Sequence, residues 1–129
     1  MQAFIVEAPN RPGSLADICE AVAAGGANVV GIAGGTAGEA GQVTLTTDDM
    51  DGTRAVLQAH AWRFREVALV VAALEHRPGT LAAAARRLAN AGVNIETLFA
   101  IGMDRGKVQI AFGVKDADAA RAALAEMAS

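Results

Sequence analysis

Two short segments of this chain carry residue types that suit a small anionic ligand. They are Asn10-Arg11-Pro12-Gly13-Ser14-Leu15 and His76-Arg77-Pro78-Gly79-Thr80-Leu81. Each lies between an apolar β-forming run and an apolar run at helical spacing. The backbone N–H groups of Gly13, Ser14 and Leu15, and of Gly79, Thr80 and Leu81, therefore open a helix without partners inside it. With the helix dipole behind them, such groups attract a carboxylate, and glycine lets a ligand come close to the backbone. Asn28-Val29 and Asn94-Ile95 open the neighbouring strand in each half. An asparagine side chain offers both a donor and an acceptor. Donors for a carboxylate facing a donor-acceptor side chain suit an α-amino acid. The same residues also fit a structural role, Pro-Gly setting the turn and Asn tolerating an awkward backbone angle. Spacing alone leaves both readings open.

The rest of the catalytic inventory is thin. His60 and His76 stand without a second His or Cys at metal-ligand spacing, and no nucleophile elbow, phosphate loop or zinc-protease motif occurs. Asp48, Asp49 and Asp51 cluster at an expected helix N-terminus, where acidic residues answer the dipole. Gly34 to Gly41 joins two strands and lacks the helix start that makes a phosphate cradle. Neither a catalytic residue nor a cofactor or metal site is expected.

The elements that must position the two turns come from a repeat. Every position from Arg11 to Asn28 that marks the first turn has its counterpart 66 positions later, from Arg77 to Asn94, with Thr80 for Ser14 and Val93 for Ala27. A repeat of this period has to be settled before any local assignment. Ala3 to Ala8 reads as a strand, and Pro12 suits the first helical position. Leu15, Ile18, Cys19 and Val22 form one apolar helix face, with Cys19 expected in the core. Asn28 to Ala33 is a second strand, Gly34 to Gly38 a hairpin loop, and Gln42 to Thr46 a third strand. A helix over Asp49 to Ala59 turns Met50, Ala55 and Val56 or Leu57 inward, and Trp62 to Val67 begins a fourth strand. The second half repeats the order. Leu69 to Leu74 is its first strand and Thr80 to Ala91 its helix, with Leu81, Ala84, Ala85 and Leu88 facing in. Asn94 to Ile101 and Lys107 to Val114 form a hairpin, and Ala117 to Met127 is the last helix. Offsets of 65 at Gly41/Gly106 and 67 at Arg54/Arg121 confine length changes to connections, as a structural repeat requires.

The fold class is α+β: two ferredoxin-like β-α-β-β-α-β units in tandem, antiparallel sheets with helices on one face, residues 1–67 and 68–129. The second unit, read to Ser129, has no last strand of its own. The outer edge of Leu69 to Leu74 is therefore expected to be covered by the first half or by a second chain, a twofold homodimer being the commonest solution. Halves of roughly 60 residues are marginal alone, which also favours mutual support. A formal net charge of −3 with no basic block argues against nucleic acid. Cys19 is the single cysteine, so no intrachain disulfide forms. Met1 leads directly into a strand without a basic, then apolar, leader. No membrane span is read, and the expected location is cytoplasmic.

The pattern Asn/His-Arg-Pro-Gly-Ser/Thr-Leu, helix, Gly-x-Asn-Val/Ile resembles the ACT domain, a small ligand-binding regulatory module. The likeness runs through both halves. It is similar to the serine-sensing domain of phosphoglycerate dehydrogenase. Glu75 to Gly79 with Val93 to Leu98 is closer to the acetolactate synthase regulatory subunit. The resemblance implies amino-acid binding between paired ACT units and no catalysis by the module. It carries ligand contact to Asn10, Gly13 and Asn28, and to His76, Gly79 and Asn94. The histidine of the serine sensor has no counterpart, since Ala8 and Leu74 stand there. The leading expectation is a stand-alone, non-catalytic amino-acid sensor acting on a partner or through its own assembly. The alternative is a regulatory subunit that docks onto an enzyme such as acetolactate synthase.

Overall fold

The computed structural model describes residues 1–125 and 127. Its elements are β1 (Gln2–Pro9), α1 (Ser14–Ala24), β2 (Val29–Ala37), β3 (Ala40–Thr47), α2 (Met50–Ala59), β4 (Phe64–Glu75), α3 (Thr80–Asn90), β5 (Thr97–Asp104), β6 (Lys107–Val114) and α4 (Ala117–Leu124). They form two compact units, Gln2–Glu66 and Val67–Ser129, the latter including Met1.

In the N-terminal unit β3 pairs antiparallel with both β1 and β2, and β4 lies on the far side of β1. Residues of like parity fall on one face of a sheet. Phe4 pairs with Leu45 and Val6 with Val43, so these four share a face. Ile18 and Val22 of α1 and Leu57 of α2 close over that face to make the core. Burying each of these large side chains is worth about 1.5–3 kcal/mol. Thr53 is also fully buried, because its hydroxyl is satisfied locally: Oγ1 donates to the Asp49 carbonyl at 2.8 Å.

The C-terminal unit repeats this with β6 between β4 and β5. Phe112 faces Val70 on one side and Leu98 on the other. Ala84 and Leu88 of α3 and Ala120 and Leu124 of α4 pack with Val70, Ala72, Leu74 and Phe112. Both units thus carry their helices on one sheet face. The last helix, expected through Met127, ends at Leu124, and Glu126, Ala128 and Ser129 lie outside the described residues.

Expected bounds and inward faces shift in further places. Pro12 is not the first helical residue: α1 starts at Ser14, and Gly13 caps it in the left-handed region at φ 92°. Gly34 to Ala37 is strand rather than loop, since β2 stays paired with β3 through Ala37↔Ala40 and the turn shrinks to two residues. β5 starts at Thr97, not Asn94, leaving Asn94 and Ile95 in the connection after α3. Leu15 and Leu81 face outward, 52% and 43% exposed, and Ala55 is exposed. Cys19 is half-buried, outside the core cluster formed by Ile18 and Val22.

Candidate functional site

The two turns share the same two bonds to the end of the preceding strand. In the first, the Arg11 N–H donates to the Pro9 carbonyl at 2.9 Å, and the Ser14 hydroxyl donates to the same carbonyl at 2.7 Å. In the second, the Arg77 N–H donates to the Glu75 carbonyl at 2.9 Å, and the Thr80 hydroxyl donates to it at 2.7 Å. Each hydroxyl therefore ties the helix start to the strand end. Gly79 sits at φ 91°, matching Gly13, and heads a helix whose first turn is open. The left-handed angle explains glycine at both positions, since a Cβ there meets the following carbonyl.

The turns are also fixed from the hairpin side. The Asn10 side-chain amide donates to the Gly38 carbonyl at 2.7 Å, and its backbone N–H to the Glu39 carbonyl at 3.1 Å. At the matching place the His76 backbone N–H donates to the Gly106 carbonyl at 3.3 Å. Arg11 pairs with Asp17 at 3.2 Å, both well exposed. The Ser14 N–H is partly engaged, donating to the Arg11 carbonyl at 3.3 Å, which leaves Gly13 and Leu15 as the freer backbone donors of the first turn.

Asn28 and Asn94 follow the first helix of each unit with exposed side chains. Asn28 is held through its backbone, donating to an Asp48 carboxylate oxygen at 2.8 Å and accepting from the Asp48 N–H at 3.0 Å. Its side-chain amide is thereby displayed rather than used for capping. The acidic cluster resolves into three structural roles. Asp48 holds Asn28, Asp49 caps α2 by accepting from the Gly52 N–H, and Asp51 pairs with Arg54. His60 stacks on Trp62 with ring centroids 5.0 Å apart, away from either turn in sequence.

Sequence reading placed Leu15, Leu81 and Leu98 among the apolar residues around the ligand but missed Ile32, and it missed that Leu15 and Leu81 point outward. Ile32 faces Leu45 in register, and Leu98 faces Phe112, so each lies on the helix side of an edge strand. They are 42% and 41% exposed. Leu15 and Ile32 in one unit correspond to Leu81 and Leu98 in the other, 66 residues on. The signal was present as an apolar repeat, but apolar periodicity reads as core unless an edge is known.

Among the described residues no group of His, Cys, Asp and Glu could hold a metal ion, and no helix is long and apolar enough to cross a membrane.

A three-stranded antiparallel sheet extended by a fourth strand at the β1 edge, with two helices on one face, is the ferredoxin-like arrangement. Residues 3–58 match the ACT domain family. The second unit repeats that fold, so the chain carries two ferredoxin-like units in tandem, the first of them matching the ACT domain. Solved structures extend the likeness over nearly the whole chain. A protein of Bacteroides thetaiotaomicron superposes with a TM-score of 0.78 at 18% identity, over 97% of this chain and 86% of its own. The regulatory subunit of aspartate kinase from Thermus thermophilus gives 0.69 at 22%, over 98% and 90%. Aspartate kinase from Synechocystis gives 0.72 at 25%, over 97% of this chain and 25% of the enzyme. No curated protein sequence matches the chain.

Proposed function

We propose that this chain is a non-catalytic regulatory protein that takes a small ligand, an amino acid, at its Pro-Gly turns where ACT units pair, and signals through a partner or its own assembly. The observation that carries this reading is the duplicate turn. Two helix starts share the same glycine angle and the same hydroxyl tie, while Asn28 and Asn94 stand exposed at the far end of the first helix of each unit. Gly13, Ser14 and Leu15, and Gly79, Thr80 and Leu81, make up the turn side of each site. Asn28 and Val29, and Asn94 and Ile95, lie at the other end of the first helix of their unit and reach a turn only across a pair of units. Asn10, Arg11, Pro12, His76, Arg77 and Pro78 shape the turns. Exposed Leu15, Ile32, Leu81 and Leu98 give each unit an apolar margin at the same place, which suits a second ACT unit, as in a homodimer.

The same margin supports a second reading, in which the chain docks onto a biosynthetic enzyme and ligand binding is secondary. Two of the structural neighbours are an aspartate kinase and a regulatory subunit of one. A thermal-shift screen of the purified chain against the twenty amino acids separates the readings. A ligand at 100 times its Kd adds about 2.7 kcal/mol, a clear rise in melting temperature. The sensor reading expects at least one amino acid to give that rise. A flat screen would leave only the docking reading.

A further inference from the structure

The two units solve one edge differently. In the N-terminal unit Arg54 of α2 donates to both carboxylate oxygens of Glu66 on β4, at 2.9 and 2.6 Å, and to Asp51 at 2.7 Å. Its guanidinium stands 5.7 Å from the centre of the Phe4 ring, and Phe4 meets Phe64 edge-on at 5.5 Å. Two residues of β4, Phe64 and Glu66, thus close the groove between α2 and the edge of β1. The Glu7–Arg63 bond sets Glu66 opposite Phe4.

The corresponding groove of the C-terminal unit is open. Arg121 of α4 takes the place of Arg54 and pairs with Asp118 at 3.0 Å, as Arg54 does with Asp51. Among the described residues nothing takes the place of Glu66, and the Arg121 side chain is 60% exposed where that of Arg54 is 30%. Beside it lies a recess of about 330 Å³ lined by Leu69, Val70, Val71, Arg121 and Leu124. Val70 replaces Phe4 here, which widens the floor. On this side of β4 the bonding reaches Leu69, whose N–H donates to the Met1 carbonyl at 2.8 Å. Residues 70–75 beyond it pair with β6 on their other side.

We infer that the outer edge of residues 70–75, together with the Arg121 recess, is a docking site for an extended segment of a partner protein carrying an aromatic residue two positions before a carboxylate. The partner strand would add to the sheet through main-chain bonds, with side chains on the helix side giving selectivity. Its carboxylate meets Arg121 opposite Val70, and its aromatic residue falls opposite Ala72, as Glu66 and Phe64 fall opposite Phe4 and Val6 in the first unit. A second copy does not supply this chemistry. Two such edges paired antiparallel about a twofold axis bring together only Val70, Ala72 and Leu74 on the helix side, and Arg121 gains no carboxylate.

The chain's own sequence supplies the probe: an acetylated and amidated peptide copying residues 61–66, Ala-Trp-Arg-Phe-Arg-Glu. Titrated against the full chain and followed by isothermal titration calorimetry, the peptide is expected to bind saturably. Replacing its glutamate by glutamine, or Arg121→Ala in the protein, is expected to weaken binding about tenfold. Arg121→Glu with a lysine in place of the peptide glutamate should recover affinity. Arg121 is exposed, so circular dichroism should show both variants folded. Absence of peptide binding, or binding indifferent to Arg121, overturns the proposal. So does a dimer that buries this edge and that the peptide fails to dissociate. Each result stands apart from the amino-acid screen, because the recess does not include the turns.

Discussion

Gly13 and Gly79 set what can be tested at the level of single residues. An added Cβ at Gly79 would meet nothing within 4 Å, yet the angle of 91° is costly for any L side chain. Gly79→Ala is expected to destabilise by about 1–2 kcal/mol, read from denaturant midpoints, through backbone strain alone. Blocking substitutions at these glycines therefore mix folding with binding. Asn28 and Asn94 give the cleaner test, since both side chains are exposed. Asn28→Ala and Asn94→Ala are expected to leave stability within about 0.5 kcal/mol. They should weaken amino-acid binding by about 1–3 kcal/mol if those amides bind the ligand. Calorimetry on the two variants checks this. Ser14 and Thr80 belong to the turn itself. Ser14→Ala should cost about 1 kcal/mol of stability by removing the tie to the Pro9 carbonyl.

At the level of elements, β4 is held to α2 by Arg54 and Glu66. The hydrogen bonds from Arg54 hold the Glu66 carboxyl below its usual range, against a smaller desolvation effect in the other direction. A lowered folded value means the pair contributes stability above the ordinary glutamate pKa of about 4.3 and loses it as pH falls through the lowered value. The melting temperatures of the wild type and Glu66→Gln should therefore differ at neutral pH and converge in acid below that range. The gap should also narrow with salt, because both side chains are about one-third exposed. Most elements were legible in the sequence because strand, Pro-Gly turn, helix and Gly-x-Asn recur in order. The errors have physical causes. Gly34 and Gly35 read as loop, but β3 pairs with them and keeps them extended. Leu15 and Leu81 read as core because helical spacing shows which face a residue shares, not whether a sheet lies beneath that face. The hydrogen bonds that hold Asn10 and Asn28 join residues 20 or more apart, which local pattern does not reveal.

For the whole molecule, each unit has its own core, one centred on Phe4, Ile18 and Leu57 and the other on Phe112, Leu88 and Leu124. Leu57 and Leu88 are fully buried, so Leu57→Ala and Leu88→Ala should each cost about 2–5 kcal/mol, read from chemical denaturation. The duplication of turn and core is the reason to expect two equivalent half-sites rather than one. The central claim, that the Pro-Gly turns take an amino acid, is tested most directly by following backbone amide signals of the isotope-labelled chain during titration with each amino acid. The claim expects one amino acid to move the signals of Gly13, Ser14 and Leu15, and of Gly79, Thr80 and Leu81, along with those of Asn28 and Asn94, saturably and ahead of the rest. Signals that stay fixed at both turns with all twenty amino acids, or that move only elsewhere, would contradict it.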